Sequence, residues 1–121
     1  MSEPARITHV EFPADDLGRA KAFYAAVAGW EFQPMEGVPD YETFSTGERA
    51  GGAIGARGTS MGNALRVYIT IPDLERGMAA AEEHGGRLIE GPIDVGGQGR
   101  YVVVADPEGT EIALWQDPPA D

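Results

Sequence analysis

The stretch ITHVEFPADDLGRAKAFYAAVAGW, residues 7–30, has a counterpart in the same chain: ALRVYITIPDLERGMAAAEEHGGR, residues 64–87. A gap-free shift of 57 places Val10 on Val67, Asp16 on Asp73, Leu17 on Leu74 and Arg19 on Arg76. The same shift places Ala22 on Ala79 and Gly29 on Gly86. Each copy opens on a run rich in β-branched and aromatic residues, which predicts strands over 7–12 and 65–71. An aspartate follows, Asp15 or Asp16 in the first copy and Asp73 in the second, a residue type that caps helix N-termini. Leu17, Ala20, Phe23, Tyr24 and Val27 then recur at helical spacing, as do Leu74, Met78 and Ala81. Gly29 and Gly85-Gly86 stand where C-capping glycines belong.

Beyond the first copy, short strands are predicted over 30–33, 41–45 and 50–56. Beyond the second they fall over 87–89, 99–105 and 110–115. Asp106-Pro107-Glu108-Gly109 has the residues of a type I turn and makes the last two strands a hairpin. A shift of 60 pairs Tyr41 with Tyr101, Glu48 with Glu108 and Ala53 with Ala113. The pattern is strand, helix and three strands, twice over. It predicts an α+β fold of two tandem βαβββ modules, 5–57 and 64–116, within a single domain spanning 1–121.

Length and composition bound the function. At 121 residues, with 42% hydrophobic and 24% charged residues, the chain can bury a real core. It has no cysteine, which excludes disulfides, thiol catalysis and thiolate metal sites. No apolar run is long enough to span a bilayer. The first four residues, Met-Ser-Glu-Pro, have neither the basic start nor the apolar run of a signal peptide, so a cytoplasmic location is expected. Twenty acidic residues against nine basic ones give a net charge of −11. That field repels nucleic acid and anionic membranes, and around a pocket it favours cationic small molecules.

The paired repeat resembles the vicinal oxygen chelate superfamily, which includes glyoxalase I, bleomycin-resistance proteins and extradiol dioxygenases. Ile7-Thr8-His9-Val10-Glu11-Phe12-Pro13, then Asp16 through Tyr24 and Gly29-Trp30, is similar to the family's opening. Asp106 through Leu114 is similar to its closing hairpin. The resemblance implies that the two modules form a curved, cup-shaped sheet with the helices outside, and that the chain is a homodimer. In metal-dependent relatives four ligands come from the first and last strands of each module. Those positions fall here on His9, Arg66, Ala53 and Ala113. One imidazole, one guanidinium and two methyl groups are a poor set for a divalent ion. No metal and no other cofactor is therefore expected.

Strand alternation assigns the cup's lining. With Val10 and Phe12 under the helix, His9 and Glu11 face the other way. With Val67, Ile69 and Ile71 in the core, Arg66, Tyr68 and Thr70 are left for the cup. Ile112 and Leu114 as core leave Glu111, Ala113 and Trp115. Such a lining suits a polar organic molecule with a flat apolar part. Each residue also has a plainer reading: His9 bonded to Glu11 or Arg66, Arg66 in an ion pair with Glu11 or Glu111, and Tyr68 and Trp115 as packing or interface residues.

Three functions stay open. The first is a metal-independent protein that binds a small organic molecule, with Arg66, Tyr68, Glu111, Trp115, Ala53 and Ala113 around it. The second is a metal-free lyase or isomerase in which His9 or Glu11 is the general base and Arg66 holds an anion. The third is a metal enzyme with displaced ligands, His9, Glu11 and Glu111. Other motifs carry less. Residues 58–62, Gly-Thr-Ser-Met-Gly, match a nucleophile elbow, but a strand follows where a helix is needed, so they are read as the linker between modules. The glycine clusters fit neither a dinucleotide fingerprint nor a P-loop. Trp30 is read as core, His84 as a helix C-terminal residue, and Glu82-Glu83 as a solvated helix face.

Overall fold

The computed structural model describes residues 4–47, 50–58 and 64–119. Among them the order is β1 (Arg6–Ala14), α1 (Leu17–Ala28), β2 (Gln33–Pro34), β3 (Tyr41–Gly47) and β4 (Ala50–Ala56). The second half gives β5 (Arg66–Thr70), α2 (Leu74–Glu83), β6 (Arg87–Asp94), β7 (Arg100–Ala105) and β8 (Glu111–Gln116). This is α+β with βαβββ twice, as the repeat predicts. Most of the segment that matches a nucleophile elbow lies outside the described residues.

Thr8–Arg66 form one compact unit, and Val67–Asp121 with the first seven residues form the other. In the first, the strands run β2-β3-β4-β1, with β1 parallel to β4 and the other pairs antiparallel. In the second they run β5-β8-β7-β6, with β5 parallel to β8. The registers match between the copies. Glu11 faces Ala53 and Phe12 faces Ile54, while Tyr68 faces Ala113 and Ile69 faces Leu114. A shift of 57 on the first strand and 60 on the last converts one ladder into the other, the two offsets found in the sequence.

Capping works as the aspartates imply. Asp16 accepts the Arg19 amide at 2.9 Å, and Asp73 accepts the Arg76 amide at 3.0 Å. Gly29 closes α1 in the left-handed conformation, φ 73°, and its amide bonds the Ala25 carbonyl at 3.0 Å. The Asp106–Gly109 turn forms, with the Gly109 amide on the Asp106 carbonyl at 2.9 Å, and β7 and β8 are a hairpin.

Below α1 lies an aromatic stack. Trp30 lies parallel to Phe44 at 4.1 Å and 12°, Tyr24 lies over Trp30 at 5.4 Å and 17°, and Phe12 meets Trp30 edge-on. Trp30 is thus core. It is not in a strand: the predicted strand over 30–33 shrinks to Gln33–Pro34, because Trp30 and Phe32 turn onto Phe44 instead of extending a ladder. Gly52 permits the parallel β1–β4 pairing, since a Cβ there would collide with the Val10 carbonyl. The helical stripe on α1 is less buried than its spacing suggests. None of its residues is fully buried, and Phe23 and Val27 are exposed.

In the second unit the two faces of the sheet have separate clusters. Leu74, Val102, Val104 and Leu114 pack with Ile69, Ile71, Met78, Ala81 and Ile112 against α2. Tyr68, Tyr101, Val103 and Ala113 pack with Ile93, Val95 and Trp115 on the other face. Strand β6 runs on to Asp94, past the predicted end at 89. Register shifts at Leu88/Glu90 and Glu90/Ile93 let the ladder continue through Gly91-Pro92, whose peptide bond is cis.

Candidate functional site

The first unit gathers four polar side chains. His9 and Glu11 lie two apart on β1 and so share a face, and Tyr41 opens β3. The Tyr41 hydroxyl donates to Glu11 Oε2 at 2.6 Å. With that proton committed, the phenol oxygen accepts from His9, whose Nε2 lies 3.1 Å away. His9 is thereby the Nε2–H tautomer. Burial pushes its pKa below the ordinary imidazole value. Its Nε2 is 3.9 Å from Glu11, so Tyr41 is the bridge between the two. Arg66 is buried with Nη1 3.8 Å from Glu11 Oε1. Ala53, fully buried, is the register partner of Glu11.

The second unit holds the aromatic residues. Tyr68 and Ala113 are register partners, both buried, and Thr70 pairs with Trp115. Tyr101 lies 5.6 Å from Tyr68 and nearly parallel to Trp115, at 6.3 Å and 17°. Trp115 is half-buried and donates its indole N–H to Asp117 at 2.9 Å. Gly99 leaves room for the indole: a Cβ there would stand 2.5 Å from Cζ2. Glu111 is exposed at the start of β8, opposite Ala105. An open cavity of about 410 Å³ lies between the Gly96–Gly99 turn and the segment after β8. His84 caps the C-terminus of α2 and is exposed, beside Glu83 at 3.7 Å.

The structure thus brings His9, Glu11 and Arg66 together in one unit, and Tyr68, Ala113 and Trp115 together in the other. Tyr41 and Tyr101 belong to these groups and were not singled out from the sequence. Their pairing under the shift of 60 was the available signal, since it set the two tyrosines at matching positions of the repeat.

A family model, bleomycin resistance protein-like N-terminal, matches residues 6–47. CFP32 of Mycobacterium tuberculosis, a protein named as a glyoxylase, is 28% identical over 122 residues, covering 98% of this chain and 47% of CFP32. The anthracycline biosynthesis protein DnrV of Streptomyces peucetius is 29% identical over 118 residues, covering 84% of this chain and 43% of DnrV. The chain spans about half the length of these curated relatives. Protein BH1468 of Bacillus halodurans has the same fold, with a TM-score of 0.76 at 10% identity, over 98% of this chain and 99% of that one. A glyoxalase/bleomycin resistance protein/dioxygenase superfamily member from Vibrio splendidus aligns with a TM-score of 0.69 at 15% identity, over 94% of this chain and all of that one.

In its first 47 residues, in its relatives and in its fold, the chain is similar to the glyoxalase/bleomycin resistance/dioxygenase superfamily. The fold of that superfamily implies a metal, and the residues at the implied positions do not fit one. Ala53 and Ala113 offer only methyl groups, and Arg66 places a cation beside Glu11. Among the described residues, no three His, Asp or Glu side chains are grouped to hold an ion. Also among them, no helix is long and apolar enough to cross a membrane.

Proposed function

We propose that the chain is a member of this superfamily and a metal-independent binding protein for a flat, cationic organic molecule. The ligand would lie against the aromatic face of the second module, with Trp115 as its stacking partner. The observation that carries this reading is the near-parallel Tyr101–Trp115 pair, with a half-buried indole held in orientation by its bond to Asp117. Aromatic side chains with a fixed tilt bind planar molecules at low entropic cost. A net charge of −11 draws in cations. The likeness to an anthracycline biosynthesis protein supports the same ligand chemistry, because an anthracycline bearing an amino sugar is both planar and cationic. Glu111 is proposed to set a polar contact of the ligand, and the chain is proposed to act as a homodimer in the cytoplasm.

Titration of such an anthracycline, followed by calorimetry, tests this. Trp115→Ala should weaken binding by about tenfold, in line with the worth of an aromatic contact, and His84→Ala should leave it unchanged. Equal effects of the two substitutions would remove the site. Elemental analysis of chelator-free protein tests metal independence, and a stoichiometric transition metal would overturn it.

The His9–Tyr41–Glu11 chain supports a second reading, a metal-free lyase or isomerase acting on a carbonyl compound. A neutral imidazole, a phenol and a carboxylate in one hydrogen-bonded line can move a proton, and Arg66 can hold an anion. Proton exchange into a 2-oxo acid in deuterated water, followed by NMR, is its readout. Exchange that persists in the His9→Ala, Glu11→Ala double variant would exclude it.

A further inference from the structure

We propose that the cavity beside Trp115 is the subsite for the amino sugar of a planar ligand, with Asp94 and Asp117 taking its ammonium group. This rests on the binding reading above and places the ligand's cationic end. The cavity has a volume of about 410 Å³, within the size range of small-molecule sites and enough for one sugar ring.

Two of its residues also hold the indole. Gly99 lines the cavity and gives the Trp115 ring its space, since a Cβ there would stand 2.5 Å from Cζ2. Asp117 lines it too, and accepts the indole N–H through one of its two oxygens, Oδ1. A planar group stacked on Trp115 therefore has the cavity next to it.

The lining carries both kinds of hydrogen-bonding group that a sugar needs. Gln116 accepts the Leu74 amide through Oε1 at 2.6 Å, which fixes its orientation and makes Nε2 its donor end. The carboxylates of Asp94 and Asp117 are acceptors. Among the described residues, no ion pair or side-chain hydrogen bond engages the Asp94 carboxylate. Arg100 also lines the cavity, but its Nη2 donates to both oxygens of Glu75. Those two charges offset each other, and two carboxylates remain to face a cation.

The internal repeat shows that this lining belongs to one module. Under the shift of 60 that relates the last strands, Trp115, Gln116 and Asp117 correspond to Gly55, Ala56 and Arg57. The first module has no ring and no carboxylate there, and its Arg57 is paired with Asp15 at 2.9 Å. The fold itself therefore does not require an indole followed by an amide and a carboxylate at these positions.

Calorimetry with three ligands tests the subsite: an anthracycline with its amino sugar, the same compound with a hydroxyl in place of the amine, and the aglycone. The native protein should bind the amine about tenfold more tightly than the hydroxyl compound. Asp94→Asn, Asp117→Asn should erase that preference and leave the aglycone's affinity unchanged. Asp94→Asn alone, at an exposed position, should reduce it, and serves if the double variant does not fold. Glu82→Gln, Glu83→Gln removes the same charge from α2 and should keep the preference in full. Equal binding of amine and hydroxyl compound by the native protein would overturn the subsite and leave the aromatic site standing. So would a preference undiminished in the aspartate variants, or one lost equally in the α2 variant. If none of the three ligands binds, the subsite and the reading beneath it fall together.

Discussion

The Tyr41 hydroxyl donates to the Glu11 carboxylate across 2.6 Å, joining the start of β3 to the middle of β1. It joins residues thirty positions apart in the chain, and Glu11 is almost wholly buried. Hydrogen bonds to a charged group contribute about 1.5–3 kcal/mol. Tyr41→Phe should lower stability by that amount in urea unfolding, with no change in helix content. A loss within error of zero would mean that the bond is not made in solution.

His9 gives a pH dependence of known sign. Its pKa in the folded chain is lowered by burial, so the unfolded chain takes up a proton first as pH falls. The stability contribution is fully present above the unfolded value of about 6.5 and is lost as pH drops through the folded value. Between pH 7 and pH 5 the native protein should lose more stability than His9→Gln does. Urea midpoints at the two pH values provide the comparison, and parallel losses would contradict a buried neutral imidazole.

Glu11 also sets the cost of keeping Arg66 buried. Their side chains are 6% and 7% exposed, with the charges 3.8 Å apart. Removing one partner of a buried ion pair typically costs about 3–5 kcal/mol. Glu11→Ala should fall in that range. Glu11→Gln, which still accepts from Tyr41, should cost less. Adding Arg66→Met to Glu11→Ala should recover part of the loss, a non-additivity that a double-mutant cycle measures.

Gly99 controls where the Trp115 ring sits. A methyl group there would lie 2.5 Å from the indole and 2.7 Å from the Gln116 carbonyl, on a backbone with φ 138°. Overpacking of this kind costs about 1–3 kcal/mol. Gly99→Ala should therefore destabilise the chain and shift Trp115 emission, and it should weaken anthracycline binding in step. Unchanged emission would show that the ring does not rest on Gly99.

Much of the fold was legible because the signals were local and duplicated. Asp16, Asp73 and Gly29 mark helix ends through their own backbone chemistry, and the shifts of 57 and 60 carry the strand register. Alternation also separated Ile112 and Leu114 from Ala113 and Trp115. What was not legible depended on partners distant in sequence. Nothing near Trp30 says that Phe44 will draw it out of a strand. The bulges that carry β6 through Gly91-Pro92 depend on β7. Tyr41 joins Glu11 only because β3, β4 and β1 are neighbours in that order. The spacing of Phe23 and Val27 marked a helix correctly, but periodicity does not say whether an apolar stripe meets its own core or another surface.

The matching ladders have a consequence for how this chain tolerates insertions. On β7 and β8, even-numbered residues reach the α2 side and odd-numbered ones the aromatic side. Parity, rather than identity, assigns each residue its neighbours. One residue added at the start of β8 would swap the parity of everything after it, pushing Trp115 towards Leu74 and Leu114 towards Tyr101. Two added residues would restore the parity and displace the strand by one repeat. Length changes in this hairpin should therefore be tolerated in pairs and rejected singly.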